Sequence, residues 1–401
     1  MSTLLELPSE LRLLIYEFYL FAHLQSKVSQ QLQPSNEHFR LLRVCHQIRR
    51  EAADVLHRYV SLHHERQILA FSKNPPSWLS KVTHADVAND GRFLHTSVDS
   101  DELQKYPLSQ LHLALAKLPS LTHLRIFECR QGLPISLHGL KSLRFSIQFE
   151  DAMFPPNSTS TNPHLSSYEL FLRTGPTIYV FNSNLPTQSI NTLRLSGECH
   201  LARKTLDVPA LQHLALDGVT GNYFDRHTFD ECFPNSSLRS FRYNLGIRTG
   251  FEIRNKHLES LVNGPGRRLN TLVLLGCHRL SSSAIAQCLR DLTELRYFAL
   301  SLITVEEMQS NFLACLPTSV SILKLHVTNA WYAVPLLDEE RMLCDTIEHD
   351  LLVRNPPLQS MRLNIRSQLT ILDGRQKKWE QMALGQRLDI HFGPWEKDEY
   401  I

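Results

Sequence analysis

Between Leu269 and Leu300 the chain reads LNTLVLLGCHRLSSSAIAQCLRDLTELRYFAL, and its apolar spacing leaves little choice of local structure. Leu269, Leu272 and Leu274 form L-x-x-L-x-L, which fits a short strand with alternate side chains turned inward. Ser281 to Ser283 supply a helix cap, and Ile285, Cys288, Leu289 and Leu292 then fall at helical spacing. The strand pattern returns at Leu295, Phe298 and Leu300. One strand-helix unit of this size cannot bury its own apolar edge, so it predicts neighbours of the same kind.

Frames of that kind start at Leu121, Leu140, Ile190, Leu211, Leu238, Leu269, Leu295, Val320 and Leu358. Successive starts differ by 19, 50, 21, 27, 31, 26, 25 and 38 residues, and the cluster near 20 to 31 excludes ankyrin and propeller periods. The pattern resembles the cysteine-containing leucine-rich repeats common in F-box proteins. That resemblance implies an α/β fold, an irregular leucine-rich-repeat solenoid with a curved parallel sheet and helices on its convex side. Cys129 and Cys277, both ninth in their frames, are expected to be buried structural thiols. Val82, Ala85 and Val87 suggest a degenerate first strand, and Leu103 to Leu118 a helix. The solenoid is expected over 70–392, with long insertions near 151–189 and 330–357 and a tail over 393–401. Phe154 to Ser167, rich in Pro, Ser, Asn and Thr, reads as a loop. LDEERMLCDTIEHDLL reads as a helix with Leu343, Ile347 and Leu351 inward and a solvated acidic side. A helix around Trp379 to Leu384 and a final strand Arg387 to Phe392 then end the repeats, before Gly393-Pro394.

Ahead of the repeats, LLELPSELRLLIYEFYL places Leu11, Leu14, Ile15 and Phe18 at three- and four-residue steps. A second amphipathic run puts Leu41, Val44, Cys45, Ile48, Ala52, Val55, Leu56 and Tyr59 on one helix face. Residues 1–69 therefore read as a small helical domain that needs a partner or a neighbour to cover it. Leu7-Pro8, Glu10-Leu11, Ile15, Leu20, Leu42, Val44-Cys45 and the run Gln47 to Ala52 resemble an F-box, in the form common among fungal proteins. The resemblance implies docking onto the Skp-family adaptor of an SCF-type cullin-RING ubiquitin ligase, with Leu7, Pro8, Leu11, Ile15, Leu20, Leu42 and Val44 as the adaptor-binding residues. The repeats would capture a protein substrate for ubiquitin-dependent degradation. The rival reading is a non-ligase interaction scaffold whose F-box-like helices only cap the solenoid.

The odd positions of the frames carry a second pattern. Position five reads Arg125, Arg144, Arg194, Ala215, Arg242, Val273, Ala299, Lys324 and Arg362. Lys and Arg are 42 of 401 residues, so chance places about one in nine such positions, whereas this column holds six. Strand side chains alternate, so these residues are expected on the concave face beside His123 and His213 at position three. Guanidinium forks suit carboxylate and phosphate, so the column predicts capture of an acidic or phosphorylated substrate segment. The competing reading is that these side chains are solvated or neutralised by the protein's own acids.

Charge and motifs bound the remaining classes. A net charge of +2 gives no global field for nucleic acid or membrane. No apolar run approaches a transmembrane helix of about 20 residues, and MSTLLELPSELRLL lacks the pattern of a signal peptide. The eight cysteines include no C-x-x-C pair, which suits a cytoplasmic or nuclear setting. His57, His63 and His64 cluster without acidic or thiol partners at metal-ligand spacing. No phosphate loop, nucleophile elbow or zinc-protease motif is present, so neither catalysis nor a cofactor is expected.

Overall fold

The computed structural model describes residues 4–29, 35–89, 93–94, 108–128, 164–171, 178–180, 187–201, 206–220, 223–246, 250–304, 308–330, 334 and 336–399. It is a mixed α/β chain of two compact units. Unit 1 comprises residues 1–190, 196–203 and 400–401; unit 2 comprises 191–195 and 204–399.

Unit 1 opens with helix α1 (Ser9–Ser29), a 3-10 turn (Glu37–Arg43) and helix α2 (His46–Leu56). Pro8 precedes α1 and Glu10 lies in its first turn, both favourable at a helix N-terminus. Tyr16 and Leu20 bury one side of α1 against Ile48, Ala52, Val55, Leu56 and Tyr59. Arg12 fixes the crossing: its Nε and Nη2 donate to the Glu51 carboxylate of α2 at 2.8 and 2.7 Å, while Nη1 donates to the Leu7 carbonyl. The Arg12 hydrogen bond holds the Glu51 carboxyl down at about 2, with Gln47 and Tyr16 adding donors.

The helical pattern was expected to run through Tyr59. Instead α2 ends at Leu56 and strand β1 (Tyr59–Leu62) follows, because Tyr and Val suit a strand and the backbone finds a ladder partner. Strands β2 (His84–Asn89), β5 (His123–Glu128) and β6 (Ser167–Phe171) continue that ladder in the order β1-β2-β5-β6, each parallel to the next. The ladder thus starts ahead of the boundary expected at 69. Two short strands, β3 (Phe93–Leu94) and β4 (Leu108–Ser109), pair with each other; β7 (Ile178–Val180) pairs with residues 199–201 of β8 (Thr192–Leu201). The helix expected from Leu103 is described only over Leu111–Leu115.

Strand β6 corrects the reading of the longest gap. Leu165, Tyr168 and Leu170 are fully buried and supply a frame that the loop-like composition around them concealed. The frame at Leu140, with Arg144, and Cys129 lie outside the described residues.

In unit 2, β9 (His213–Thr220), β10 (Ser240–Asn244), β11 (Thr271–Cys277), β12 (Tyr297–Thr304), β13 (Ile322–Asn329), β14 (Ser360–Asn364) and β15 (Asp389–Phe392) form an open ladder. Each is parallel to the next. Register keeps the frames aligned: Leu214, Phe241, Leu272, Phe298, Leu323, Met361 and Ile390 stand side by side. Frame positions one, four and six are buried from β9 to β14, as at Leu269, Leu272 and Leu274, while Ile390 and Phe392 of β15 are half-buried. Each such side chain contributes roughly 1.5–3 kcal/mol relative to exposure. Ser281 caps the helix Ser282–Asp291 by accepting from the Ala284 amide at 3.2 Å, as its spacing predicted.

The acidic helix, Leu337–Thr346 continued by a wider turn Ile347–Leu351, buries Leu343, Ile347 and Leu351. Its acidic side departs from expectation. Glu340 is fully buried on Arg366, and Glu348 takes hydrogen bonds from Lys378 and from the Trp379 indole at 3.0 Å. Those partners come from beyond β14, where helix spacing carries no information.

Two glycines meet closely on neighbouring strands, Gly218 within β9 and Gly246 just after β10. Gly218 and Gly246 have φ of +58° and +65°, and a Cβ on Gly246 would stand 2.9 Å from the Gly218 Cα. Replacing Gly246 by Ala is expected to destabilise the protein by at least about 1–2 kcal/mol from the left-handed backbone alone. Urea unfolding of G246A, with unchanged m-value, measures this.

Candidate functional site

Two kinds of surface are candidates for meeting a partner: the outward side of α1, and the odd-position face of the ladder in each unit. The first is α1. Its inward side is Arg12, Tyr16 and Leu20; its outward side is Leu11, Leu14, Ile15 and Phe18, with relative exposures of 47, 49, 39 and 70%. The stripe that the sequence marks as apolar faces away from the unit's own core. Phe21 and Val44, also apolar, are 59 and 65% exposed. Among the adaptor-binding candidates, Pro8, Leu11, Ile15 and Val44 are exposed and Leu7 is half-buried. Leu42, in the 3-10 turn, is half-buried as well and packs partly against the core. Leu20 is corrected: it lies in the core beneath α1, because Tyr16 and Leu20, four residues apart, turn to the face opposite the stripe.

The second surface is the odd-position face of the ladders. Its charge is organised differently from the open cationic column that position five predicts. In unit 1 the register places Arg125 between Asp86 and Glu169, with Ser61 beyond Asp86. Arg125 Nε and Nη2 donate to the two oxygens of Asp86 at 2.7 and 2.8 Å, and Tyr59 Oη donates to the same carboxylate at 3.0 Å. Side-chain exposures of 13% for Arg125 and 2% for Asp86 make this an internal tie. Asp86 lay outside the nine frames, so position five read as six cations without an acid among them.

His123 stacks on His84 with ring centroids 4.1 Å apart and planes within 9°. Burial, then the neighbouring His123 and Arg125, lowers the His84 imidazole to about 3, and burial lowers His123 as well. His57 stacks on Trp78 at 4.5 Å and His63 on His64 at 4.1 Å. Among the described residues no group of three or more His, Cys, Asp or Glu is placed to hold a metal ion. No described helix is long and apolar enough to cross a membrane.

In unit 2, buried Arg194 donates to Asp217, whose other oxygen accepts from Asn244 at 2.7 Å. The position-five column runs Ala215, Arg242, Val273, Ala299, Lys324, Arg362, His391. His213 is exposed at position three. Over the middle of this column lies the segment Gly393–Glu399. Trp395 is 1% exposed and packs on Val273, Leu275, Ala299 and Tyr297, and its indole N–H donates to the Leu325 carbonyl at 3.2 Å. Glu399 receives Lys324, the Tyr297 hydroxyl and, at 3.5 Å, Arg242. Glu396 pairs with His326 and accepts from Ser301 at 3.5 Å. Burial alone would raise the Glu396 carboxyl, but the His326 contact and backbone amides bring it down to about 2. Thus Arg242 and Lys324 do face outward as the alternation predicts, yet both meet a carboxylate of their own chain.

A cavity of about 570 Å³ opens elsewhere in unit 2, lined in part by Arg254, Lys256, His278, Arg279 and Ser281. Its polar groups are tied internally: Glu252 takes both His278 and Arg279, and Arg254 lies 3.6 Å from Asp225.

Sequence reading missed Trp395, Glu396 and Glu399. The available signal was the break in the cationic column at Val273 and Ala299, which leaves an apolar floor between Arg242 and Lys324. No protein-family model matches the chain, and no curated protein matches it.

Removing the Asp86 carboxylate by D86A takes away the bidentate partner of a buried guanidinium and is expected to cost roughly 3–5 kcal/mol, read as a lowered urea midpoint. For His84 the unfolded chain titrates near 6.5 and the folded chain near 3. Stability is therefore full above pH 6.5 and declines as pH falls toward 3, because only the unfolded chain takes up the proton. Between pH 7 and 5 the loss is expected to be smaller in H84Q than in wild type, measured by unfolding midpoints across that range.

Proposed function

We propose that the chain is the substrate-receiving subunit of an SCF-type cullin-RING ubiquitin ligase, and not itself an enzyme. The reading rests on the F-box-like residues and on one observation above all: α1 presents Leu11, Leu14, Ile15 and Phe18 outward while Tyr16 and Leu20 hold the helix in place. A contiguous apolar stripe of this kind marks a protein-protein contact. The Skp-family adaptor docks on the stripe, with Pro8 and Val44 at its margin. Arg12 preorganises the site, since one guanidinium bonds the Leu7 carbonyl ahead of α1 and Glu51 of α2. The odd-position face of the repeats then receives the protein substrate, and partner subunits perform the ubiquitin chemistry.

The scaffold reading has its own support, because Tyr59 of β1 joins the helical core and so ties the helices to the first ladder strand. The two readings part on adaptor binding. Co-purification with the adaptor is expected for wild type and is expected to fall at least tenfold for L11E/F18E, whose exposed sites leave the circular dichroism spectrum unchanged. Failure of the wild type to retain the adaptor overturns the ligase reading and leaves the helices as a cap.

A further inference from the structure

We infer that the odd-position face of unit 2 is a peptide-binding site for a segment carrying Trp with carboxylates one and four residues after it, and that Gly393–Glu399 is its resident internal ligand. The inference deepens the capture role proposed above by naming the chemistry of the captured segment. It rests on that role only for its biological purpose, since peptide binding is measured without any adaptor.

The site is assembled from several strands. Val273 and Ala299, small apolar residues on β11 and β12, form a floor on which the indole of Trp395 lies fully buried. The cations of the same column stand on β10 and β13, on either side of that floor. Arg242, Lys324 and the Tyr297 hydroxyl converge on the single carboxylate of Glu399, which is 2% exposed at its side chain. His326 and Ser301, two positions further along their strands, receive Glu396. Had the column been cationic throughout, the indole would have no seat; had it been apolar throughout, the carboxylates would be buried without partners.

Beyond Gly393 the segment is held by side chains: one indole and two carboxylates make its described contacts with the strands. Any polypeptide bringing those three groups at the same spacing makes the same contacts, so the recognition is transferable. Gly393, with φ of +118°, sets the direction in which the chain leaves β15, and its amide donates to the Leu363 carbonyl at 2.9 Å. The tether makes the internal ligand a strong competitor, because a short linker holds it at an effective concentration on the order of millimolar. A partner segment therefore gains access in proportion to how far the internal segment is weakened.

The test titrates a fluorescein-labelled peptide of sequence GPWEKDE into three full-length chains and reads fluorescence polarisation. The chains are wild type, W395A/E399A, and W395A/E399A carrying K324E. The double variant is expected to bind the peptide at least tenfold more tightly than wild type, and the added charge reversal is expected to abolish the gain. Equal binding by wild type and a folded double variant overturns the inference. Should the double variant fail to fold, a protease site inserted between Phe392 and Gly393 allows cleavage after folding. Exchange of the released segment for labelled peptide by a still-folded chain supports the site. Unfolding on cleavage, or no exchange, identifies the segment as a structural cap and overturns it. Dimerisation of the double variant with wild type in place of peptide binding, read by light scattering, assigns the face to a second copy and also overturns it.

Discussion

Strand side chains alternate, and each ladder here is parallel, so every strand must find cover for two faces. The even positions solve this with the apolar frame residues, as where Phe229 meets Phe241 with ring centroids 5.1 Å apart. The odd positions cannot use the same solution, because they carry Arg, Lys, Asp and Glu. Ladder register supplies the answer. In unit 1 it sets Asp86, Arg125 and Glu169 side by side, so that neighbouring strands neutralise one another. In unit 2 it sets Arg242 and Lys324 three strands apart, and a separate segment brings the acid. A one-residue slip in either ladder would move each charge into the core, so the charged face also enforces the register of the buried one.

The even face was legible because it is periodic. Leu211, Leu238, Leu269, Leu295, Val320 and Leu358 begin frames that the structure buries, and the helix cap at Ser281 and the final strand near Asp389 follow local rules. The odd face was half legible. Alternation correctly assigned Arg242 and Lys324 outward, but their partners lie far away in sequence: Glu399 is 157 and 75 residues from them. Leu165 was missed because Pro, Ser, Asn and Thr surround it, and composition outweighed a three-residue pattern. Asp86 was missed because Ala85 made its frame too weak to place with the others. Glu340 and Glu348 were read as solvated because helix spacing reports a face and says nothing of what covers it.

The same distinction explains α1. Its outward residues, Leu11, Leu14, Ile15 and Phe18, have the spacing that ordinarily marks a core-facing stripe. Packing is decided instead by Arg12, Tyr16 and Leu20, because only that side offers Glu51 its hydrogen-bond donors and Ile48 its apolar contacts. Glu51 is anchored on α2, so the guanidinium fork chooses which side of α1 turns inward. The apolar stripe is left outside as a consequence.

Set beside each other, the stripe on α1 and the floor formed by Val273 and Ala299 show how differently one chain treats apolar surface. The floor is covered by Trp395, and the cover is locked by carboxylates that find cations on either side. The stripe has no such arrangement: Phe18 is 70% exposed and Leu14 49% exposed. Burying a large apolar side chain is worth roughly 1.5–3 kcal/mol, so several left in water represent a stabilisation that the fold does not take for itself. Covering the floor and leaving the stripe open is therefore no matter of available apolar area. It follows from where the charges stand, since Arg242 and Lys324 can recruit an acidic segment and the residues Leu11, Leu14 and Phe18 can recruit only another apolar surface.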